Sequence, residues 1–392
     1  MNATGEEWDV AVVGGGPAGA VVARLLALGA ATSGAATARE RGVGRPAPSR
    51  SRLPLKVLLL DQATFPRRKV CGCCLNRHTL SALAAAGLGD LPAKFGAVPL
   101  HSTLLAAGGR TAAVRLPGGV SVSREAFDAA LMDVARAAGV TVRTGVRVRM
   151  TAPHTLTAGD DVIRARVVID ATGLNGRLTD SDIEVRPGSR IGAGTVITTD
   201  HAFYQPGTIY MATGRGGYVG LVRLEDGRLD AAAAFDAGFV RDAGSLPTAA
   251  ERTLHEAGLP LPELHAADWK GTPPLTRRPT SVAGPGWFAV GDAAGYVEPF
   301  TGEGMAWAIA GAVALAPIAA RAVERWDDSL AAEWVAVHRS IVGRRQAVCR
   351  LTARVLRSPL ACRMLVRGLR VLPGLANPFV RALNRPTSSP GI

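Results

Sequence analysis

Two rhythms of apolar residues run along this chain. Short runs rich in valine and leucine, each stopped by glycine or aspartate, read as buried strands; stretches with an apolar residue every third or fourth position read as helices. The first run is Asp9-Val10-Ala11-Val12-Val13, and Gly14-Gly15-Gly16-Pro17-Ala18-Gly19 follows it at once. The pattern then turns helical through Val21, Val22, Leu25, Leu26 and Leu28, with Gly29 as its stop. A second strand should come within a few residues. Instead, 31–54 consists mostly of Ala, Gly, Ser, Pro and Arg without apolar period, and is expected to be a mobile surface insertion. Only then does Lys56-Val57-Leu58-Leu59-Leu60-Asp61 supply the second strand.

Further on, Pro66-Arg67-Arg68-Lys69-Val70-Cys71-Gly72-Cys73-Cys74 leads into a helix carrying Leu80, Leu83 and Leu88. Positions 98–122 alternate apolar runs with glycine turns and read as hairpin material. Ser123 is the expected N-cap of a helix opened by Arg124-Glu125-Ala126-Phe127-Asp128. Strands are expected at 140–150 and at 162–169, the latter ending in Asp170-Ala171-Thr172-Gly173. The stretch 180–283 is mainly strand-like, with strands at 191–198, 208–212, 218–224 and 228–235 and a helix at 247–258. A last strand ends in Val290-Gly291-Asp292, and a glycine-rich loop leads into a long helix near Gly304. Its run from 304 to 320 is mostly alanine and contains Pro317, which suits a packed core helix better than a membrane span.

Composition changes this picture in three places. A chain of 392 residues with 47% apolar and 20% charged content is globular and long enough for two domains. Its charge is local: Glu333 is the last acid, and eleven of the net +13 charges are arginines beyond it. That placement, with Phe379 the only aromatic after Trp334, argues against nucleic-acid binding. Cysteines cluster at 71, 73 and 74, while 349 and 362 lack C-x-x-C spacing, so neither a disulfide framework nor a metal site is expected. A reducing cytoplasm fits this usage, and no secretory leader is read at the start. The tail from 335 to 372 reads as helices interleaved with arginines and punctuated by Pro359 and Pro373. One reading lays it on anionic lipid at the inner membrane face; the other packs it as a cap on the domain of the glycine turn.

Glycines 14, 16 and 19 have the G-x-G-x-x-G spacing of a dinucleotide turn between strand and helix. Gly16 lets the backbone approach a pyrophosphate, and the helix N-terminus supplies N–H groups and positive dipole to it. Asp61, ending the second strand, is placed to take the hydroxyls of an adenosine ribose. NAD and FAD proteins share this turn.

Four features follow it in fixed order: Asp61, the helix start at Arg124, the Asp-Ala-Thr-Gly strand end at 170, and Gly291-Asp292. In this the sequence resembles the flavoprotein superfamily of para-hydroxybenzoate hydroxylase. Lys69-Val70-Cys71-Gly72, Arg124 to Asp128 and Pro299-Phe300-Thr301-Gly302-Glu303-Gly304 look most like its geranylgeranyl-reductase-like branch, to which flavin halogenases are related. The resemblance implies an α/β fold. A Rossmann-like FAD-binding domain of the glutathione-reductase-2 type would comprise 1–97, 123–180 and 284–333. A mainly antiparallel β-sheet substrate domain would comprise 98–122 and 181–283, with an Arg-rich helical region at 334–392.

The resemblance also assigns roles. Gly14, Gly16, Pro17, Ala18, Gly19 and Asp61 would hold the adenine-side half of FAD, with backbone at Val146 against the adenine edge. Arg124 would face the pyrophosphate or ribityl chain, and Asp292, after Gly291, a ribityl hydroxyl. Cys71 and Gly72 would lie near the isoalloxazine and the backbone at Gly302, Gly304 and Met305 would point at it, where a helix N-terminus favours the negative charge of reduced flavin, and Lys69, Gly173 and Pro299 would also contact the cofactor.

The implied activity is an FAD-dependent oxidoreductase acting on an apolar or aromatic, isoprenoid- or polyketide-like molecule. NAD(P)H, bound transiently, or a partner protein would reduce the flavin. Hydride transfer to a double bond and oxygen activation for hydroxylation are both open, and a non-catalytic flavin carrier is the reading from another class. Halogenases of this superfamily carry a W-x-W stretch, which is absent here. Cys71, Tyr210 and Tyr218 are the candidate catalytic residues; His201 and His265 read as ordinary loop histidines.

Overall fold

Val10, Ala11 and Val12 are apolar without alternation, and a strand buried on both faces needs that composition. The computed structural model, which describes residues 6–29, 54–176, 178–179, 182–298, 300, 302–376 and 380, places them in the strand Glu6–Val13. Parallel neighbours Asp161–Asp170 and Val57–Asp61 flank it, followed outward by Trp287–Ala289 on one side and Thr141–Thr144 on the other. Val13 lies opposite both Asp170 and Leu60. The register therefore brings the glycine turn, Asp61, Asp170 and Gly291-Asp292 to one edge of the sheet, the carboxyl ends where open α/β sheets bind ligands. The expected insertion falls outside the described residues except for Pro54.

The helices, in chain order, are α1 (Pro17–Ala27), α2 (Arg77–Ala85), α3 (Leu91–Lys94), α4 (Arg124–Ala137), α5 (Ala237–Ala243), α6 (Leu246–Ala257), α7 (Gly304–Glu324), α8 (Asp328–Val355) and α9 (Pro359–Val371). Helices α1, α4 and α7 share one apolar core with a face of the parallel sheet. Helix α7 is long and apolar enough to cross a membrane, but 72% of its most apolar stretch is buried inside the protein. Ser123 caps α4 as expected, accepting from the Ala126 N–H. The expected strand at 140–150 is interrupted: Thr141–Thr144 and Arg149–Ala152 belong to different pairings.

A second sheet has the order Lys270–Pro274, Ile191–Ile197, Leu229–Phe235, Gly217–Arg223, Thr208–Gly214, Ser102–Ala107, Arg110–Arg115. All its pairings are antiparallel except that of Thr208–Gly214 with Ser102–Ala107. Helix α6 covers one face, burying Leu254 and Ala257 with Tyr204 and Tyr210. On the other face, Cys362, Val366 and Leu369 of α9 pack with Ala107, Val114 and Met211. Helix α8 packs on the domain of the glycine turn as expected, its Val342 and Cys349 clustering with Trp307 of α7, while α9 extends the cap onto the second sheet. A single helix, α8, runs through position 334, anchored by buried Trp334, whose indole N–H donates to the Ala289 carbonyl at 2.9 Å.

Candidate functional site

Between the two sheets lies a cavity of about 1630 Å³. Binding pockets commonly measure roughly 300–1,000 Å³, so this one has room for a large cofactor and a second molecule. Of the positions singled out by sequence, Gly14, Gly16, Pro17, Ala18, Asp61, Lys69, Cys71, Gly72, Arg124, Val146, Gly173, Tyr218, Gly291, Asp292, Gly302, Gly304 and Met305 all line it. Gly19 does not, because it serves helix–strand packing; Pro299 lies outside the described residues.

Local structure explains the assembly. Gly14 sits at φ +113°, a conformation side chains oppose, and its N–H donates to the Leu60 carbonyl at 2.7 Å. The Asp61 carboxylate holds the turn from outside, accepting from Gly15 N at 2.6 Å and Ala63 N at 2.7 Å. Val146, at the cavity wall, donates its N–H to the Asp61 carbonyl at 2.9 Å. Glu303, buried in the loop before α7, accepts from Asn76 Nδ2 at 2.7 Å and lies 3.2 Å from His78 Nδ1, tying that loop to α2.

At the cationic end Asp128 gathers two guanidiniums. Arg124 is buried and bound to Asp128 through Nε at 2.8 Å and Nη2 at 2.7 Å, on the Cys71 side. Burial opposes its charge, but Asp128 and Cys71 outweigh that and hold it protonated. Arg67 is the guanidinium that stands before Gly16, while also 3.5 Å from Asp128. Sequence reasoning passed over Arg67; a basic run just after the strand-end acid was its signal. Lys69 is pulled down by burial, with Asp292 opposing, and Asp292 is pushed up by burial, with Lys69 opposing.

Beside them is a sulfur cluster. A hydrogen bond from Cys73, then Arg124, bring the Cys71 thiol down to about 5 against the opposing effect of burial. Burial raises Cys74 well above its ordinary value, and the bond to Cys71 followed by burial raises Cys73. Cys73 Sγ is 3.4 Å from Oδ1 of buried Asp230, whose Oδ2 has no hydrogen-bond partner among the described residues. Burial keeps Asp230 protonated far above the usual carboxylate range. Its sequence signal was an acid within the otherwise apolar strand Leu229–Phe235. Because its pKa is depressed, Cys71 is a thiolate above about pH 5. At neutral pH iodoacetamide should therefore label Cys71 first, with a rate that rises through about 5. Cys71→Ser should remove the fast phase; a rate that climbs only near the ordinary thiol range would contradict the thiolate.

The far half of the cavity is apolar, lined by Leu105, Val114, Ile209, Met211, Leu275 and Leu369. Tyr218 reaches into it with a buried hydroxyl that lacks a partner among the described residues, stacked edge-on against Phe300 at 5.0 Å. Tyr210 is a correction to the candidate set. Its hydroxyl donates to the Phe203 carbonyl at 2.7 Å and accepts from Gln205 N at 2.9 Å, on the α6 side of the sheet. Alternation along the strand puts Tyr210 and cavity-lining Met211 on opposite faces.

No protein-family model matches the chain, and no curated protein matches it in sequence. Solved structures do. The geranylgeranyl bacteriochlorophyll reductase-like protein of Thermoplasma acidophilum superposes with TM-score 0.72 at 18% identity, over 96% of this chain and 98% of that one. PqsL of Pseudomonas aeruginosa, a probable FAD-dependent monooxygenase, gives 0.67 at 19%, over 91% and 99%. The myxobacterial FAD-dependent halogenase CndH gives 0.68 at 18%, over 96% and 92%. At these identities the likeness is one of architecture. The chain has the α/β fold that these flavin-dependent monooxygenases, halogenases and reductase-like proteins share.

Proposed function

We propose that this protein is an FAD-dependent oxidoreductase acting on an apolar small molecule. The observation that carries the reading is the continuity of one cavity from the glycine turn, past Asp292 and Cys71, into an apolar chamber on the second sheet. The residues fit FAD. A Cβ at Gly72 would meet nothing within 4 Å and one at Gly16 only Arg67 Nη2 at 3.8 Å, so bare backbone faces the space a diphosphate and a flat ring need. Gly14, Gly16, Pro17, Arg67 and the α1 N-terminus would hold the diphosphate, and Asp292 a ribityl hydroxyl. Gly302, Gly304 and Met305 at the start of α7 would face the ring. Bound there, the flavin supplies two-electron reduction or oxygen activation.

Proton supply favours reduction of an activated double bond over hydroxylation. Hydride added to one alkene carbon leaves charge on the other, which needs a proton supplied from the cavity wall. Cys73, which lines the cavity, gives its proton to that carbon and takes one from Asp230, held protonated by burial at 3.4 Å from its Sγ, and Asp230 regains a proton from solvent after product leaves. The apolar chamber also weighs against a carrier without catalysis, since a carrier needs no second binding space.

NAD(P)H is the proposed donor. Anaerobic mixing with NADPH or NADH should bleach the flavin band, and an alkene-bearing isoprenoid should restore it with loss of the double bond. Restoration only by air, with hydroxylation of an aromatic compound, would instead select the oxygenase. A flavin that no donor reduces and no substrate reoxidises would leave the carrier.

A further inference from the structure

Helix α9 presents apolar residues on two opposite faces. Cys362, Val366 and Leu369 are buried against the second sheet. At 3.6 residues per turn, Leu360, Met364 and Val371 project the other way, where they are 69%, 61% and 73% exposed. Leu351, Leu365, Leu372 and Leu375 are exposed as well, and Leu351, Leu365 and Leu375 share the cavity lining with Met364. Single exposed leucines are ordinary, whereas a contiguous set marks a binding surface.

Two properties decide what binds. Exposed Arg363, Arg367 and Arg370 run along one flank of the stripe, and no acid follows Glu333 anywhere in the sequence. A second copy docking face to face would set arginine against arginine. An anionic headgroup layer instead receives the guanidiniums while their stems lie on the apolar stripe. Leu351, Met364, Leu365 and Leu375 are at once exposed and part of the cavity lining, so the cavity has an apolar rim beside α9.

We propose that the outer face of α9 docks on an anionic lipid bilayer, with the helix lying in the interface and the cavity mouth facing the acyl chains. Uptake of an apolar substrate by that route rests on the oxidoreductase reading; docking itself does not.

The test is co-sedimentation of the full-length protein with vesicles of phosphatidylcholine alone or mixed with phosphatidylglycerol. The protein should bind the mixed vesicles, release them as salt rises, and bind the neutral ones roughly tenfold or more weakly. The full-length variant L360Q/M364Q/V371Q and the variant R363Q/R367Q/R370Q should each lose about tenfold or more of the binding. All six positions are exposed, so circular dichroism should show both variants folded. Folded wild-type protein that ignores anionic vesicles at low salt, or variants that bind as well as wild type, would overturn the proposal. A dimer in light scattering that the first variant abolishes would overturn it in favour of a second copy. The readout needs no flavin, so failure of the cofactor reading leaves this result interpretable.

Discussion

Gly16→Val should fold normally and lose its FAD. Gly16 is the N-cap of α1 at φ −75°, a conformation open to any residue, and the new Cβ meets only the mobile end of Arg67 at 3.8 Å. The side chain then projects into the space before the helix N-terminus, where the proposed diphosphate would approach the backbone N–H groups. Overpacking of about 3 kcal/mol there corresponds to roughly a hundredfold loss of affinity. Gly19→Val is the contrasting case. Its Cβ would lie 1.8 Å from the Gly14 carbonyl oxygen, so helix and strand must part and the fold itself should suffer. Flavin retained after desalting, read beside a thermal melt, separates the two effects. A Gly16→Val protein that keeps full flavin occupancy would show that the diphosphate lies elsewhere.

Arg190→Ala should destabilise the fold most among single side-chain deletions away from the cofactor region. Arg190 is fully buried, with Nη1 3.1 Å from Glu298, Nε 3.4 Å from Asp236 and Nη2 donating to the Leu356 carbonyl at 3.3 Å. It thus joins the second sheet to the loop before α7 and to the end of α8. Removing it leaves buried Glu298 with Arg357, at 3.9 Å, as its remaining ion-pair partner among the described residues. Breaking such a pair costs about 3–5 kcal/mol, because one charge remains in low dielectric.

The pH dependence has a definite sign. Burial already raises the Glu298 pKa in the intact protein, with Arg190 opposing, and losing Arg190 raises it further. A carboxyl whose folded pKa lies above its unfolded value stabilises at low pH and loses that contribution as pH rises through the folded pKa. The deficit of the variant should be largest at neutral pH and shrink on acidification, and a second change, Glu298→Gln, should recover part of it. Urea unfolding at two pH values checks both; a loss below about 1 kcal/mol would show the pair to be effectively solvated.

Much of the dinucleotide half was legible in the sequence because its signals are local. A valine run, a glycine turn and a strand-end acid each report their own backbone, and the structure aligns them at one sheet edge. The strands from 191 to 235 were equally legible, since each is a short, mostly apolar run. What escaped was long-range. Tyr210 looked like a cavity residue until the strand register turned it toward α6. Arg67 escaped because nothing local ties it to the turn: the fold brings its guanidinium within 3.8 Å of the Gly16 Cβ position and 3.5 Å of Asp128. The apolar chamber draws Leu105, Val114, Ile209, Met211 and Leu275 from separate segments, and no local pattern announces such a set. The α9 face that caps the second sheet was likewise beyond reach, since both faces of that helix are apolar.

The central claim is that the cavity beside Gly16 and Asp292 holds FAD, and the visible spectrum of the purified, desalted protein tests it most directly. After incubation with FAD the protein should carry a stoichiometric flavin band, and the flavin released on denaturation should be FAD rather than FMN. Protein that is folded, remains colourless and cannot be reconstituted with FAD would contradict the account.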